Sequence, residues 1–186
     1  MSKSTDDAVL RDIEARAKTE FLPHIGSAQG EELERLVRER RPRTVVEIGV
    51  MVGYATIRIA RNLEEGARVI GVEISEDLAR RADANLALAG LADRVDIRRG
   101  DAREVIGSLD GPVDLVFLDA ERGQYLNYLR KIEPKLGPGA TIVAAGAGHA
   151  SDRLQKYFDY VRLSGKYDSR HLVLDDDGIE VSTYRG

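Results

Sequence analysis

The sequence predicts an α/β fold, in which helices flank a sheet that is mainly parallel, and three observations indicate this. Short runs rich in β-branched residues alternate with longer amphipathic stretches, which is the pattern of βαβ units. Five such runs follow one another at intervals of roughly 20–30 residues, which leaves room for a crossover helix between them. Two of the runs are almost entirely apolar, as expected of strands that are covered on both faces.

The predicted elements follow in order along the chain. Five parallel strands are expected at residues 44–48, 68–73, 95–97, 113–118 and 141–143. Helices are expected at residues 7–21, 29–40 and 152–163. Ser75 and the acids after it predict the start of a further helix, and Gly90 predicts its end. Two last strands, at 171–174 and 179–184, are joined by a predicted hairpin turn at 175–178.

Length and composition exclude several classes of protein. The 186 residues correspond to one domain, on the usual basis of roughly 100–200 residues per domain. With 42% hydrophobic and 32% charged residues the chain can bury a core, which argues against intrinsic disorder. The absence of cysteine excludes disulfides, thiolate metal sites and cysteine nucleophiles. A net charge of −4 indicates that the chain as a whole is not a polyanion binder.

The sequence contains no recognisable targeting or membrane segment. Residues 1–7 are polar and lack the apolar stretch of a signal peptide. No run of about 18 apolar residues occurs anywhere in the chain. We therefore expect a cytoplasmic protein without a membrane partner.

The loop after the first strand is the most informative segment. Gly49 permits a close backbone approach and Gly53 a tight turn into the next helix, at the sheet edge where α/β proteins bind ligands. The Gly-x-x-x-Gly spacing lacks the third glycine of the dinucleotide fingerprint, which predicts a ligand without a pyrophosphate. Glu47, just before the turn, is placed to hold a cationic group on such a ligand.

Four consecutive strand ends each carry an acid, namely Glu47, Glu73, Asp101 and Asp119. An acid at the end of the second strand, where Glu73 stands, can accept hydrogen bonds from both hydroxyls of a ribose. Asp101 and the residue after it are placed to contact an adenine edge. A single acid of this kind is as often a helix cap, but four on one edge favour a ligand site.

Four segments of the chain together resemble the class I S-adenosylmethionine (SAM)-dependent methyltransferases, namely residues 47–54, 72–74, 100–102 and 117–119. The resemblance is closest to the small O-methyltransferases of the catechol O-methyltransferase-like group, and it extends over residues 10–184. It implies a Rossmann-like, seven-stranded, mostly parallel sheet with helices on both faces and an antiparallel last strand.

The same resemblance implies a single methyltransferase domain with SAM as its cofactor. Residues 1–41 would form a lid of N-terminal helices, and residues 42–186 the SAM-binding core. Gly49 and Met51 would line the methionine part of SAM, and Glu73 would bind the ribose. The residues expected around the cofactor are Ile25, Glu47, Gly49, Met51, Gly53, Tyr54, Ala55, Glu73, Ile74, Asp101, Ala102 and Asp119.

The chain departs from the metal-dependent members of this group. Asp119 matches the first of their three metal ligands, but the Asp-Asn pair after the fifth strand falls on Ala145 and Gly146, which have no side-chain donor. The sequence therefore predicts no metal ligands, and it puts a divalent cation such as Mg²⁺ in doubt. The group's catalytic lysine aligns with Arg122, which stays protonated but can hold an anionic oxygen.

Three interpretations of this departure are open. In the first, which we favour, the enzyme works without metal and a histidine or water accepts the proton; its catalytic residues are then Asp119, Arg122 and His24. In the second, the chain binds SAM but has little activity. In the third, Asp119 holds a metal together with His149 or Asp152.

The predicted function is O-methylation of a small, phenol- or catechol-like acceptor, and RNA or protein methylation is the alternative. Against the alternative, the chain is acidic overall and has only 5% aromatic residues for stacking bases, so we expect no nucleic-acid partner. The one basic cluster, which we interpret as a solvated helix end, comprises Arg35, Arg38, Arg40, Arg41 and Arg43. Because the chain has few insertions on the substrate side, we also expect a homodimer.

Overall fold

The computed structural model describes residues 3–20, 24–148, 152–174 and 177–186. Within these residues the strands are β1 (Thr44–Ile48), β2 (Arg68–Glu73), β3 (Val95–Arg99), β4 (Val113–Leu118), β5 (Leu136–Ala145), β6 (Tyr167–Leu174) and β7 (Asp177–Tyr184). The helices are α1 (Lys3–Ala17), α2 (Gly26–Arg40), α3 (Tyr54–Ala60), α4 (Glu76–Ala89), α5 (Ala102–Val105), α6 (Tyr125–Ile132) and α7 (Asp152–Leu163).

The described strands form one sheet in the order β3-β2-β1-β4-β5-β7-β6. Neighbouring pairs from β3 to β5 are parallel, and β7 is antiparallel to both β5 and β6. The predicted seven-stranded, mostly parallel α/β sheet with an antiparallel last strand is thereby confirmed. The strand order reverses between β1 and β4, so a crevice opens at their carboxyl ends.

Apolar side chains on both faces of the central strands hold the helices against the sheet. Val45 and Leu115 belong to the core on the side of α1 to α4, whereas Val46 and Val116 belong to the core on the side of α5 to α7. All four side chains are completely buried. Burying one such side chain contributes about 1.5–3 kcal/mol, so the near-continuous apolar runs of β1 and β4 stabilise the centre of the sheet.

Most predicted boundaries agree with the structure. Helix α4 begins after Ser75, whose hydroxyl accepts a hydrogen bond from the Leu78 N–H at 3.4 Å, and it ends at Gly90. Strand β5 is longer than predicted because pairing with β4 begins at Leu136, ahead of a register shift. The predicted turn at 175–178 lies partly outside the described residues.

The predicted basic cluster is compensated by acids on the same surface. Arg35 is paired with Glu32 and Glu39 along α2, and Arg41 is paired with Glu64. These acids offset much of the positive charge of the cluster. None of the helices in the described ranges is both long and apolar enough to cross a membrane.

Candidate active site

A cavity of about 640 Å³ opens at the carboxyl edge of the sheet, and its volume is typical of small-molecule sites. Loops after β1 to β5 line it, together with the segment before α2 and the first residue of β7. The structure brings most of the predicted site residues to this cavity. These are His24, Ile25, Gly49, Met51, Tyr54, Ala55, Glu73, Ile74, Asp101, Ala102, Asp119 and Arg122.

Gly49 allows the ends of β1 and β4 to lie close together at the floor of the cavity. Its φ of 97° is in the region that favours glycine, and a Cβ added there would overlap the backbone carbonyl of Asp119. The Asp119 N–H extends the pairing by donating to the Ile48 carbonyl at 2.9 Å. Any side chain at position 49 would therefore push the two loops apart.

Glu73 is held at the cavity wall by two backbone groups. Its Oε2 accepts a hydrogen bond from the Met51 N–H at 2.8 Å, and its Oε1 accepts one from the Ser75 N–H at 2.9 Å. Each carboxylate oxygen has a second lone pair, so the group can also accept hydrogen bonds from a ligand. A buried carboxylate that only accepts suits a ligand with hydroxyl groups, such as a ribose.

Asp101 lies at the start of α5 and is firmly ionised. Its Oδ1 accepts a hydrogen bond from the Arg103 N–H at 2.8 Å, and the Arg103 side chain pairs with the same carboxylate. This pairing lowers the pKa of Asp101 to about 2. Ile74, which is 74% exposed, and the buried Ala102 add apolar surface to this part of the cavity.

Glu47 and Gly53, which the resemblance places around the cofactor, are not among the residues that line the cavity. The Glu47 side chain is completely buried, and no described residue makes a hydrogen bond of regular geometry to its carboxyl oxygens. Burial raises the pKa of Glu47 to about 8, and the charges of Asp119 and Glu73 add to this while the nearby Thr56 hydroxyl opposes it. The raised pKa favours the uncharged form of Glu47, and Gly53 is the residue at which α3 begins.

The part of the cavity away from Asp101 contains three charged residues, Asp119, Arg122 and Asp177. Arg122 Nη2 lies 3.7 Å from Asp177 Oδ2, and Asp177 Oδ1 accepts a hydrogen bond from the Gly148 N–H at 2.8 Å. Asp119 faces the cavity but is otherwise enclosed by protein, and this burial raises its pKa to about 7. Arg122 lowers that pKa and Asp177 raises it, so the three charges are coupled.

The hydrogen bond at His24 favours a donor in place of the predicted base. Its Nδ1 accepts a hydrogen bond from the Gly26 N–H at 3.1 Å, so the proton of the neutral ring is on Nε2. Burial lowers the pKa of His24; Glu14 opposes this and Arg58 adds to it. The ring stacks on Tyr54, with 4.6 Å between the ring centroids.

Comparison with known proteins identifies the family. A family model described as "O-methyltransferase" matches residues 2–145. The chain belongs to this O-methyltransferase family. The predicted resemblance to catechol O-methyltransferase-like proteins is thereby confirmed, and the similar proteins below support it.

The O-methyltransferase is similar to curated relatives and to a solved structure. It is 30% identical to Mus musculus catechol O-methyltransferase over 183 residues, which cover 91% of this chain and 68% of that protein. It is 28% identical to the Bos taurus enzyme over 180 residues, which cover 90% of this chain and 65% of that protein. The chain thus spans about two thirds of these relatives. A Bacillus cereus O-methyltransferase in complex with SAH has a TM-score of 0.85 and 26% identity, covering 100% of this chain and 92% of that one.

The residues of this O-methyltransferase do not fit the divalent cation that the resemblance implies. Ala145 presents only a methyl group, and Gly146 presents no side chain. In the described part of the chain, no group of three or more histidines and acids is arranged to hold a metal ion. The proposed ligand His149 and the side chain of Asp152 lie outside the described residues.

Asp177 is the site residue that sequence reasoning missed. The acidic run at 175–177 predicts a turn, and only the insertion of β7 between β5 and β6 brings its last residue to the cavity. The signal available in the sequence was the acidic run in the turn just before the last predicted strand. Nothing local distinguishes it from its two neighbours.

Proposed function

We propose that this O-methyltransferase transfers a methyl group from SAM to a hydroxyl oxygen of a small, phenol- or catechol-like acceptor. The observation that carries the proposal is the carboxylate of Glu73, fixed by two backbone N–H groups beside the close approach at Gly49. This arrangement suits a hydroxyl-bearing ligand without a pyrophosphate, in a chain of the O-methyltransferase family.

The cavity residues fit SAM from end to end. Gly49 and Met51 would accept the methionine part, Glu73 the two ribose hydroxyls, and Asp101 with Ala102 the adenine. Ile25, Tyr54, Ala55 and Ile74 complete the walls. When bound, SAM supplies a methyl group on a positively charged sulfur.

Asp119 and Arg122 would act on the acceptor at the other end of the cavity. We propose that the hydroxyl proton passes to the Asp119 carboxylate, whose raised pKa of about 7 matches a proton acceptor near neutral pH. Arg122 would hold the oxygen as it becomes negative. His24 would donate a hydrogen bond from Nε2 instead of accepting the proton.

We also propose that the reaction proceeds without a divalent cation. The support is the donor set, because Asp119 is left without the two partners that an oxygen-ligated cation needs. The charge that a metal would supply has to come from the protein, and Arg122 is the cation at this end of the cavity.

We propose that the N-terminal helices, within residues 1–41, form a lid over the SAM-binding core of residues 42–186. The support is that the segment before α2 lines the cavity, and that the Tyr54 hydroxyl donates to Glu14 Oε1 at 2.6 Å and so ties α1 to the cavity wall.

We propose a homodimer whose partner subunit covers the acceptor end of the cavity. This end is open, since the Arg122 side chain is 46% exposed and that of Asp177 is 31% exposed. Light scattering tests the dimer, and cell fractionation tests the predicted cytoplasmic location.

Two experiments test the proposed function. Calorimetric titration should show SAM and SAH, its demethylated form, binding at micromolar concentrations, whereas a nicotinamide dinucleotide should not bind. Mass spectrometry should then detect a product 14 Da heavier from at least one member of a panel of phenols and catechols. Binding of the dinucleotide without SAM or SAH would refute the cofactor, and methylation confined to RNA or protein would refute the acceptor.

A further inference from the structure

Arg122 occupies the space in which a side chain at position 146 would begin. A Cβ built on Gly146 would overlap the guanidinium, with Arg122 Cζ only 2.6 Å away. Gly146 has a φ of 66°, so a larger residue would be strained there even if Arg122 moved. The guanidinium therefore fills the place where a side chain at position 146 would begin, so a metal-ligating residue there would require Arg122 to move.

We infer that Arg122, positioned by Asp177, takes the place of the divalent cation as a fixed organic cation that binds the acceptor oxygens beside Asp119. The inference rests on the proposed function and extends it, because it assigns a role to Asp177 and names the feature that the acceptor must carry. Arg122 is then a catalytic residue, and Asp177 is a positioning residue that acts through it.

Asp177 is suited to hold the guanidinium because it is itself fixed. Its Oδ1 accepts the hydrogen bond from the Gly148 N–H, which leaves Oδ2 to face Arg122 Nη2 at 3.7 Å. Asp177 also begins β7, the strand that pairs with β5 just before Gly146. The β5–β7 pair thus sets the positions of the Asp177 carboxylate and the Gly146 backbone, and the guanidinium reaches them from the turn after β4.

The guanidinium retains donors for a ligand after this pairing. It carries five N–H groups in a planar fork, and Asp177 Oδ2 lies 3.7 Å from one of its nitrogens, Nη2. The Arg122 side chain lines the cavity and is 46% exposed, and no hydrogen bond of its guanidinium to a described residue competes with the acceptor. Such a fork binds two adjacent oxygens, as in a phenol with a second oxygen at the neighbouring carbon.

A single positive charge also limits which hydroxyls can react. A divalent cation lowers the pKa of a bound hydroxyl strongly, and a guanidinium lowers it less because its charge is smaller and spread over three nitrogens. The acceptor should therefore be an acidic phenol. When it reacts, the oxygen–carbon bond forms as the carbon–sulfur bond breaks, the sulfur keeps the electron pair, and the hydroxyl proton leaves to Asp119.

A plain surface ion pair is the competing interpretation, since exposed pairs of this length contribute little to stability. Arg153 offers a matched control, because it pairs with Glu121 at 3.5 Å, is 72% exposed and does not line the cavity. Under our inference Arg122→Gln affects catalysis and Arg153→Gln does not. Under the competing interpretation both changes are without effect on catalysis.

The kinetic test uses 4-nitrocatechol, with the isomeric 2-nitrohydroquinone as the acceptor whose hydroxyls are not adjacent. Wild-type activity on 4-nitrocatechol should change less than 2-fold with EDTA or with added Mg²⁺. Arg122→Gln should lower kcat/KM about 10- to 150-fold, as expected for loss of a hydrogen bond to a charged group. Asp177→Asn should raise the acceptor KM with SAH affinity unchanged, and Asp177→Glu should restore part of the loss. The inference would be overturned by loss of activity with EDTA, by equal use of both isomers, or by an Arg122→Gln variant with unchanged kcat/KM.

A second measurement tests whether the site binds a divalent cation, and it can refute the inference even if neither compound is methylated. Free Mn²⁺ is titrated by electron paramagnetic resonance into SAH-loaded wild-type protein and into the Ala145→Asp/Gly146→Asn/Arg122→Lys variant. The wild type should leave Mn²⁺ free at 1 mM, and the variant should bind it if it retains SAH. One equivalent of Mn²⁺ bound by the wild type would refute the inference. Failure of the wild type to bind SAH would refute the proposed function instead.

Discussion

Replacing Glu47 by glutamine should stabilise the folded protein increasingly as the pH rises. The wild-type carboxyl is completely buried and lacks a regular hydrogen bond to any described residue, so its charged form is strongly disfavoured. Glutamine has the same shape but never ionises. Its buried amide carries a cost of its own, which does not change with pH.

The pKa values set the size and sign of the effect. The carboxyl has a pKa of 4.5 when unfolded and about 8 when folded, so the folded state binds the proton more tightly. Wild-type stability is therefore complete below pH 4.5 and is lost as the pH rises towards 8. At 1.36 kcal/mol per unit, the loss is about 1 kcal/mol at pH 5, about 3 at pH 7 and about 4 at pH 8.

Urea unfolding of the wild type and the Glu47→Gln variant at pH 5, 6, 7 and 8 measures this difference. The exposed Glu65→Gln change is the control, and its difference from the wild type should not vary with pH. A Glu47→Gln difference that grows by less than about 1 kcal/mol between pH 5 and 8 would show that Glu47 ionises normally. SAH affinity should change less than 2-fold, and a tenfold loss would return Glu47 to the binding site.

Three other changes test the site and the lid. Glu73→Ala should weaken SAH binding by about 1–3 kcal/mol in calorimetry, since a charged acceptor is lost; an unchanged affinity would remove Glu73 from the site. Glu34→Ala removes the buried carboxylate that binds Arg58 at 2.7 Å, whereas Arg61 keeps its pair with Asp7, so urea unfolding should show a loss of about 3–5 kcal/mol. A loss of unfolding free energy below about 1 kcal/mol would contradict the role of Glu34 as a buried ion-pair partner. Gly49→Ala should abolish SAH binding by separating β1 from β4, and retained micromolar affinity would disprove that packing.

The sheet and its binding edge were predictable because the signals for them are local. Apolar runs give the strands, and a capping serine and a terminal glycine bound α4, all within a few residues of the structure they specify. Glu73 and Asp101 follow their strands directly, and parallel strands bring their carboxyl ends to one edge. The binding edge therefore follows from the order of the elements.

Other features depend on neighbours that are distant in the sequence. Glu47 is buried beside Thr56 of α3 and near Asp119 after β4, and the Nδ1 atom of His24 accepts from one backbone N–H in a loop. Neither feature has a sequence pattern of its own, so the sequence did not predict either one.

By itself, then, the sequence determined the α/β sheet, the acids along its edge and the absence of the usual metal ligands. The sequence did not show which groups take the place of those metal ligands, because that depends on the tertiary fold. The antiparallel insertion of β7 brings Asp177 to Arg122, and the bare backbone at Gly146 leaves room for the guanidinium. The physical reason is that Coulomb and steric forces act between side chains that are close in space, and the fold decides which residues are close.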